Sequence, residues 1–178
     1  MTFALKGKLP ASLCLIVFGT EGDHRQSPPA QRRGSKKGGL DQAIGRSRGG
    51  LTTKIHAVVD ALGNPLALSL TGGQAHDITQ AEALIAKVEP DAVLADKGYD
   101  SDSFIASLER REIEAVIPPK ANRKTKRECD YALYAERNLI ERFFQYIKQF
   151  RGIATRYEKT ARNFLAGLHL VCAMAWLK

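Results

Sequence analysis

The sequence predicts a mixed α/β domain, and three observations carry that prediction. A β-rich segment turns back on itself as a hairpin, two short apolar runs each follow an amphipathic helix pattern, and two long helical patterns close the chain. The order is therefore hairpin, helix, strand, helix, strand, helix, helix. Such alternation is typical of an α/β layout with a mixed sheet.

The hairpin is predicted from alternation and turn chemistry. Residues 52–60 alternate and are rich in β-branched side chains, which predicts a strand. Leu62-Gly63-Asn64-Pro65 is a turn sequence, and Leu66–Leu70 returns as the partner strand. A helix is expected over Ile78–Val88, with Asp77 in position to cap its first turn.

The remaining elements follow from shorter patterns. Residues 92–95 form a short, continuous apolar run, as a buried parallel strand would. A helix is expected over 103–110 and a strand over 114–117, which Pro118-Pro119 closes. Helices over 134–148 and 164–177 complete the domain, and the latter is too short to cross a membrane.

The first part of the chain lacks such patterns. Residues 19–34 are polar and contain Pro28-Pro29, which disfavours a central strand there, and no convincing strand is found between Gly19 and Gly39. We therefore divide the chain into an irregular segment, 1–35, and one folded domain, 36–178.

Composition restricts the class of partner. The chain has 178 residues, a formal net charge of +8 and 44% hydrophobic residues. A basic globular domain of this kind favours an anionic partner, with nucleic acid ahead of a membrane surface. Cys14, Cys129 and Cys172 lie far apart and predict neither a disulfide framework nor a zinc site, as expected of a cytoplasmic protein.

Basic residues are concentrated in two stretches that we predict to contact DNA. The first lies among glycines, which allow the backbone to approach phosphates, and the second is the polar loop before the helix over 134–148. With Lys97, which follows the strand over 92–95, the predicted DNA-binding residues are Lys36, Lys37, Arg46, Arg48, Lys54, Lys97, Lys120, Arg123, Lys124, Lys126 and Arg127.

Two acids are candidates for catalysis. Asp96 directly follows the short strand, and binding sites in open α/β sheets form outside the carboxyl ends of strands. Glu141 lies on the helix over 134–148, where Tyr134, Arg137 and Lys148 fall within the same arc of roughly 60°. Carboxylate oxygens are the ligands that Mg²⁺ prefers, and paired metal ions support in-line displacement at phosphorus. An i,i+4 ion pair on a solvated helix and a structural acid at a strand end remain the alternatives.

The residue types and the spacing at these positions resemble those of a known protein family. Tyr134, Arg137, Glu141 and Lys148 match the Y-x2-R-x3-E-x6-K signature of bacterial insertion-sequence transposases of the DDE type, and residues 95–100, ADKGYD, match that family's second acidic motif. The resemblance covers about residues 36–178. It implies a ribonuclease-H-like fold, Mg²⁺ or Mn²⁺ as cofactor, and cleavage and strand transfer of DNA at element ends. It also implies that Asp96 and Glu141 are the second and third acids and bind the metal, and that Tyr134, Arg137 and Lys148 are catalytic residues with them. Copies of the chain are then expected to assemble on DNA in the bacterial cytoplasm, at the nucleoid.

The family's first acid has no evident counterpart. Asp23 is the nearest candidate but lacks a matching context, and Asp60 closes the hairpin turn. Codons for residues 23–31 shifted by one base permit Thr-Ile-Val-Arg-Ala-His-Gln-His-Ser, a β-rich stretch similar to the family's first strand. We therefore expect a first strand that is missing or altered, in a chain truncated or read out of frame before about residue 33.

An incomplete set of acids leaves three functions open. The first is a DDE transposase catalytic domain, inactive or weakly active alone. The second is a ribonuclease-H-like nuclease that cuts without joining strands, and the third is a DNA-binding remnant without catalysis.

Overall fold

A computed structural model of the chain describes residues 13–23 as backbone, and residues 42–48 and 50–177 with side chains. Its strands are β1 (Leu13–Asp23), β2 (Gly45–Ser47), β3 (Gly50–Val59), β4 (Pro65–Gly72), β5 (Ala92–Leu94) and β6 (Glu114–Val116). Its helices are α1 (Ile78–Ile85), α2 (Asp102–Glu109), α3 (Tyr131–Tyr134), α4 (Asn138–Lys148), α5 (Arg151–Ala154) and α6 (Ala161–Trp176).

The strands form one mixed sheet. The order β2-β3-β1-β5-β6 runs across it, and β4 pairs with β3. β3 is antiparallel to β1 and β4, whereas β1, β5 and β6 are mutually parallel. Apart from the short β2, the order β4-β3-β1-β5-β6 with one reversed strand is the ribonuclease-H-like arrangement, so the predicted fold class is confirmed.

Strand alternation divides the core between the two faces of the sheet. Ile55, Ala57 and Leu94 pack against α4 and α6 on one face, whereas Val58 and Val93 pack against α1 and α2 on the other. The predicted hairpin is present, with Gly63 at φ 84° in its turn. Asp60 accepts hydrogen bonds from the backbone N–H groups of residues 62 and 64, which fixes that turn.

The expectation that no strand lies between Gly19 and Gly39 is wrong for Gly19–Asp23, and of the two alternatives for the first strand, missing or altered, the presence of β1 excludes the first. Residues 19–23 end β1, which lies at the centre of the sheet between β3 and β5. The apolar run of residues 13–18 begins this strand, because a continuous apolar stretch is the pattern of a strand buried on both faces. The pairing of β1 with β3 changes register between Phe18 and Glu21, and the more polar end of the strand follows that irregularity.

The helix predicted over 134–148 is divided in two. α3 ends at Tyr134, a 3₁₀ turn spans Ala135–Arg137, and α4 begins at Asn138. The backbone stays right-handed helical throughout, so the tighter turn changes the angle between Tyr134 and the later positions without breaking the chain's direction. α4 buries Ile140, Phe143, Phe144 and Ile147.

Candidate active site

Asp96 lies at the carboxyl end of β5 and is exposed. Its backbone is extended, so the alternation of Ala92 and Leu94 continues to it and directs it to the sheet face that α4 covers. Its carboxylate accepts a hydrogen bond of 2.7 Å from the backbone N–H of Lys97 and thereby caps the 3₁₀ turn Lys97–Tyr99. The acid is held at one oxygen and open to solvent.

A polar cleft of about 260 Å³ opens beside this acid. His76, Asp77, Asp96, Tyr99 and Arg137 line it. Tyr99 is buried, and burial together with the charges of Asp77 and Asp96 raises the pKa of its phenol. The carboxylates of Asp77 and Asp96 therefore line the same cleft as the buried Tyr99.

Asp77 was predicted to cap the helix that follows it, and this prediction is wrong. The residue precedes α1, but its side chain makes no capping hydrogen bond. Instead, the carboxylate pairs with Lys54 at 2.9 Å, and the same ammonium group donates to the carbonyl of Ala75. β4 and β5 end at the same edge of the sheet, so Asp77 and Asp96 line the same cleft. This proximity depends on the order of the strands in the sheet, which local sequence patterns do not reveal.

Arg137 joins the cleft to the third signature position. Its guanidinium donates to Glu141 at 2.6 Å, and it also lies 5.6 Å from the ring centroid of Tyr134. Burial raises the pKa of Tyr134; the charge of Arg137 opposes this shift and that of Asp96 adds to it. Tyr134, Arg137 and Glu141 thus gather on the side of the sheet where Asp96 emerges.

Lys148 is exposed at the end of α4, two helical turns beyond Glu141. At the rise of an α-helix this separation is about 10 Å along the axis. Lys148 lines neither the cleft nor the neighbouring cavity.

A second, larger cavity of about 610 Å³ shares Asp96 with the cleft. Lys97, Lys120, Lys126 and Tyr131 are among the residues that line it. Lys124 is exposed on the same loop but does not line this cavity. Three of the predicted DNA-binding lysines are therefore concentrated beside the acid at the strand end.

The two arginines of that loop are oriented toward acids of the chain itself. Asp100, with 1% of its side chain exposed, pairs with Arg123 at 2.5 Å and with Arg127 at 2.8 Å. Both arginines also pair with Asp102. Burial acts to raise the pKa of Asp100, but the hydrogen bonds from Arg123 and from the backbone of Lys120, with the charges of both arginines, hold it below its usual value. These arginines hold the loop in place.

The other predicted DNA contacts are dispersed. Arg46 and Arg48 are exposed at and beyond β2, and Lys54 is committed to Asp77. Lys36 and Lys37 lie outside the described residues. Arg46, Arg48 and Lys54 therefore do not line the cavity.

The register of β1 locates the position at which a first acid would face Asp96. Leu15 is level with Leu94, so Val17 is level with Asp96. Glu21 and Asp23 lie further along β1, and at about 3.3 Å per residue Asp23 is roughly 20 Å beyond Val17. The backbone of β1 therefore brings no acid level with Asp96.

The acids suit a hard divalent cation, which binds through one or two carboxylates and completes its shell with water and substrate phosphates. Asp96 offers an exposed carboxylate, and Glu141 is half exposed. In the part of the chain that the structure describes, three or more His, Cys, Asp or Glu side chains nowhere form a metal-binding group. Asp96 lines the cleft with Asp77, whereas Glu141 lines neither the cleft nor the larger cavity and is linked to the cleft through Arg137.

The sheet order and the acid at the end of β5 define a ribonuclease-H-like protein with a candidate phosphoryl-transfer site. Residues 19–176 match the sequence family described as the transposase DDE domain, and the chain belongs to that family. The family normally uses a divalent metal ion. The match begins earlier than residue 36, where the resemblance read from motifs begins.

Two relatives are named "Putative transposase for insertion sequence element" IS6501 and IS402. The first, from Brucella ovis, is 42% identical over 132 residues, which are 72% of this chain and 100% of the relative. The second, from Burkholderia cepacia, is 35% identical over 134 residues, which are 68% of this chain and 61% of the relative. Among solved structures, a piggyBac transposase synaptic complex with hairpin DNA aligns with a TM-score of 0.42 and 13% identity, over 65% of this chain and 24% of that one.

Within the described ranges, no helix combines the length and apolar character needed to cross a membrane.

Proposed function

We propose that this chain is the catalytic domain of an insertion-sequence transposase, which cleaves and joins DNA strands with Asp96 and Glu141 as its metal-binding acids. One observation carries the proposal: Arg137 lines the cleft beside Asp96 and pairs with Glu141 at 2.6 Å. Arg137 therefore links Glu141 to the cleft that Asp96 lines, at the edge of the sheet where α/β proteins bind ligands.

Each residue near the cleft has a physical role in this reading. Asp96 and Glu141 would hold Mg²⁺ or Mn²⁺, which supplies charge stabilisation at the scissile phosphate when bound. Arg137 holds Glu141 and offsets its charge before DNA arrives, and its guanidinium suits a phosphate equally well. Lys97 provides a further cation on the substrate side, and Lys148 one at the far end of α4.

Nicking of DNA tests the assignment. The 178-residue chain is incubated with Mg²⁺ and a plasmid that carries the inverted repeats flanking its gene, and nicked product is measured. Asp96→Asn and Glu141→Gln are expected to lower the rate about a hundredfold or more, because the loss of a metal ligand costs several kcal/mol at the transition state. Asp91→Asn, at the amino end of β5, is the matched control and is expected to leave the rate unchanged.

A binding measurement covers the case of slow chemistry. Electron paramagnetic resonance of Mn²⁺ reports bound metal without turnover, and we expect Asp96→Asn to release it. Wild-type Mn²⁺ binding that survives in both Asp96→Asn and Glu141→Gln contradicts the assignment of the site.

The register of β1 favours a second candidate, a DNA-binding remnant without catalysis. Val17 is level with Asp96 where an acid is expected. This candidate predicts DNA binding by the wild-type chain with neither nicking nor Mn²⁺ binding. The nuclease alternative predicts nicked DNA without joined strands, and assembly of several copies on DNA is tested by the stoichiometry of the complex.

A further inference from the structure

The larger cavity beside Asp96 combines cations with an exposed aromatic ring. It lies between the 3₁₀ turn Lys97–Tyr99, the loop over 119–126 and the start of α3. Three lysines and one aspartate line it, so its wall is net positive: Asp96, Lys97, Lys120 and Lys126. Its volume of about 610 Å³ lies within the usual range for small-ligand sites.

Tyr131 presents its ring to this cavity. It is 64% exposed, so one face of its ring is accessible to a ligand. Its position is fixed because Asp130 caps α3 by accepting from the backbone N–H groups of Ala132 and Leu133. Its ring meets that of Tyr134 edge to face, at 6.5 Å and 83°. A nucleobase can stack on a ring held in this way, with a gain of about 1–3 kcal/mol per base.

The loop that carries Lys120 and Lys126 is held from behind. The backbone N–H of Lys120 donates to Asp100 at 2.8 Å, and Arg127, next to Lys126, pairs with the same carboxylate. The two lysines are therefore presented by an anchored loop. The floor of the cavity is open as well, since a Cβ added at Gly98 would meet no atom within 4 Å.

We propose that this cavity binds one unpaired nucleotide of a DNA strand that passes Asp96. The base stacks on Tyr131, and Lys97, Lys120 and Lys126 contact the flanking phosphates. Arg123 and Arg127 are positioning residues that act through the loop. The inference rests on the proposed function, which it deepens by assigning single-stranded DNA to the surface next to the acids.

Fluorescence anisotropy of a labelled oligothymidylate, with EDTA present to prevent cleavage, tests the stacking contact in the full chain. Tyr131→Ala is expected to weaken binding about five- to hundredfold, and Tyr131→Phe to retain it. Tyr157→Ala removes another exposed tyrosine and serves as the matched control. Equal affinities of the wild type and Tyr131→Ala would overturn the proposal.

An abasic oligonucleotide of the same length separates stacking from a folding defect. Without bases, the wild type and Tyr131→Ala are expected to bind equally, whereas a misfolded variant would bind both oligonucleotides weakly. Blunt duplex DNA is expected to show no dependence on Tyr131. A Tyr131 effect of the same size on duplex or abasic DNA contradicts an unpaired base at this site.

The lysines have a matched pair on one loop. Lys126→Ala is expected to reduce the dependence of log affinity on log salt by about 0.7, the contribution of one single-strand phosphate contact. Lys124→Ala removes the same charge outside the cavity and is expected to change the slope less. Equal slopes for the two variants contradict phosphate contacts in the cavity. If Tyr131→Ala binds normally while Asp96→Asn stops nicking, this inference fails and the proposed function stands.

Discussion

Asp96 and Asp100 flank a single 3₁₀ turn, yet their carboxylates are in opposite environments. Asp96 is exposed and accepts from one backbone N–H. Asp100 is buried and accepts hydrogen bonds from Arg123, Arg127 and the backbone N–H of Lys120. The comparison teaches that one motif, ADKGYD, contains both an acid that is open to solvent and an acid that fastens the neighbouring loop.

The largest effect that we expect from this comparison is on stability. Asp100→Ala should lower the free energy of unfolding by about 3–5 kcal/mol, because it leaves two guanidinium groups beside a carboxylate-sized gap. Asp96→Ala should lower it by about 1 kcal/mol or less, the usual cost of losing a cap. Urea denaturation of both variants measures the difference, and equal destabilisation would end the distinction between the two acids.

The pH dependence of stability should separate a buried histidine from the buried acid. His56 is fully buried and hydrogen-bonded to Thr71 at 2.7 Å, and burial lowers its pKa to about 4. The unfolded chain takes up this proton near pH 6.5, so stability should fall by about 3 kcal/mol between pH 6.5 and 4. The pKa of Asp100 is lowered in the folded state, so its carboxylate should stabilise the fold at pH values above its unfolded pKa. This contribution to the free energy of unfolding should be lost only below about pH 4.

Unfolding at a series of pH values checks these two windows. His56→Gln should be flatter than the wild type between pH 6.5 and 4, and Asp100→Asn should be flatter below pH 4. If His56→Gln retains the full wild-type slope in its window, the histidine is not the group that titrates there.

The smallest effect concerns the Arg137–Glu141 pair, which sharpens the contrast with Asp100. This i,i+4 pair is partly exposed, with 26% and 50% of the two side chains accessible. A double-mutant cycle with Arg137→Ala and Glu141→Ala should therefore give a coupling of about 0.3–0.5 kcal/mol, and salt should weaken it. A coupling above about 2 kcal/mol would make this pair structural, like the Asp100 cluster.

Much of the fold followed from local patterns, because hydrophobic periodicity and turn residues act over short distances. The hairpin and β5 were predicted close to their observed bounds, and the helix that carries Glu141 was predicted with its correct end but begins at Asn138 instead of Tyr134. β1 was missed along its whole length, because polar residues follow its apolar run and its partners are distant in sequence. Residues 15–18 and 21–23 pair with β3, and residues 13–15 pair with β5, so no short window of β1 contains the strands that hold it.

The candidate site was predicted only as separate residues. Asp96 and Glu141 were selected from a strand end and a helix face, but Asp77 was interpreted as a helix cap. Arg123 and Arg127 were predicted to contact DNA, a role that stays untested, while the structure commits both to Asp100 and Asp102. A charge in a sequence does not reveal whether its counter-ion lies in the solvent, in a ligand or in the same chain.

The sequence by itself determined the order of elements from the hairpin onward, the family and the two candidate acids, since each depends on residue types at fixed short spacings. The tertiary structure alone decided which charges face one another. Packing of β5 between β1 and β6 set Asp96 beside Arg137, and it turned Asp100 away from solvent to meet the loop arginines. Burial and neighbouring charge, which arise only when distant segments pack together, gave two aspartates of one motif different tasks.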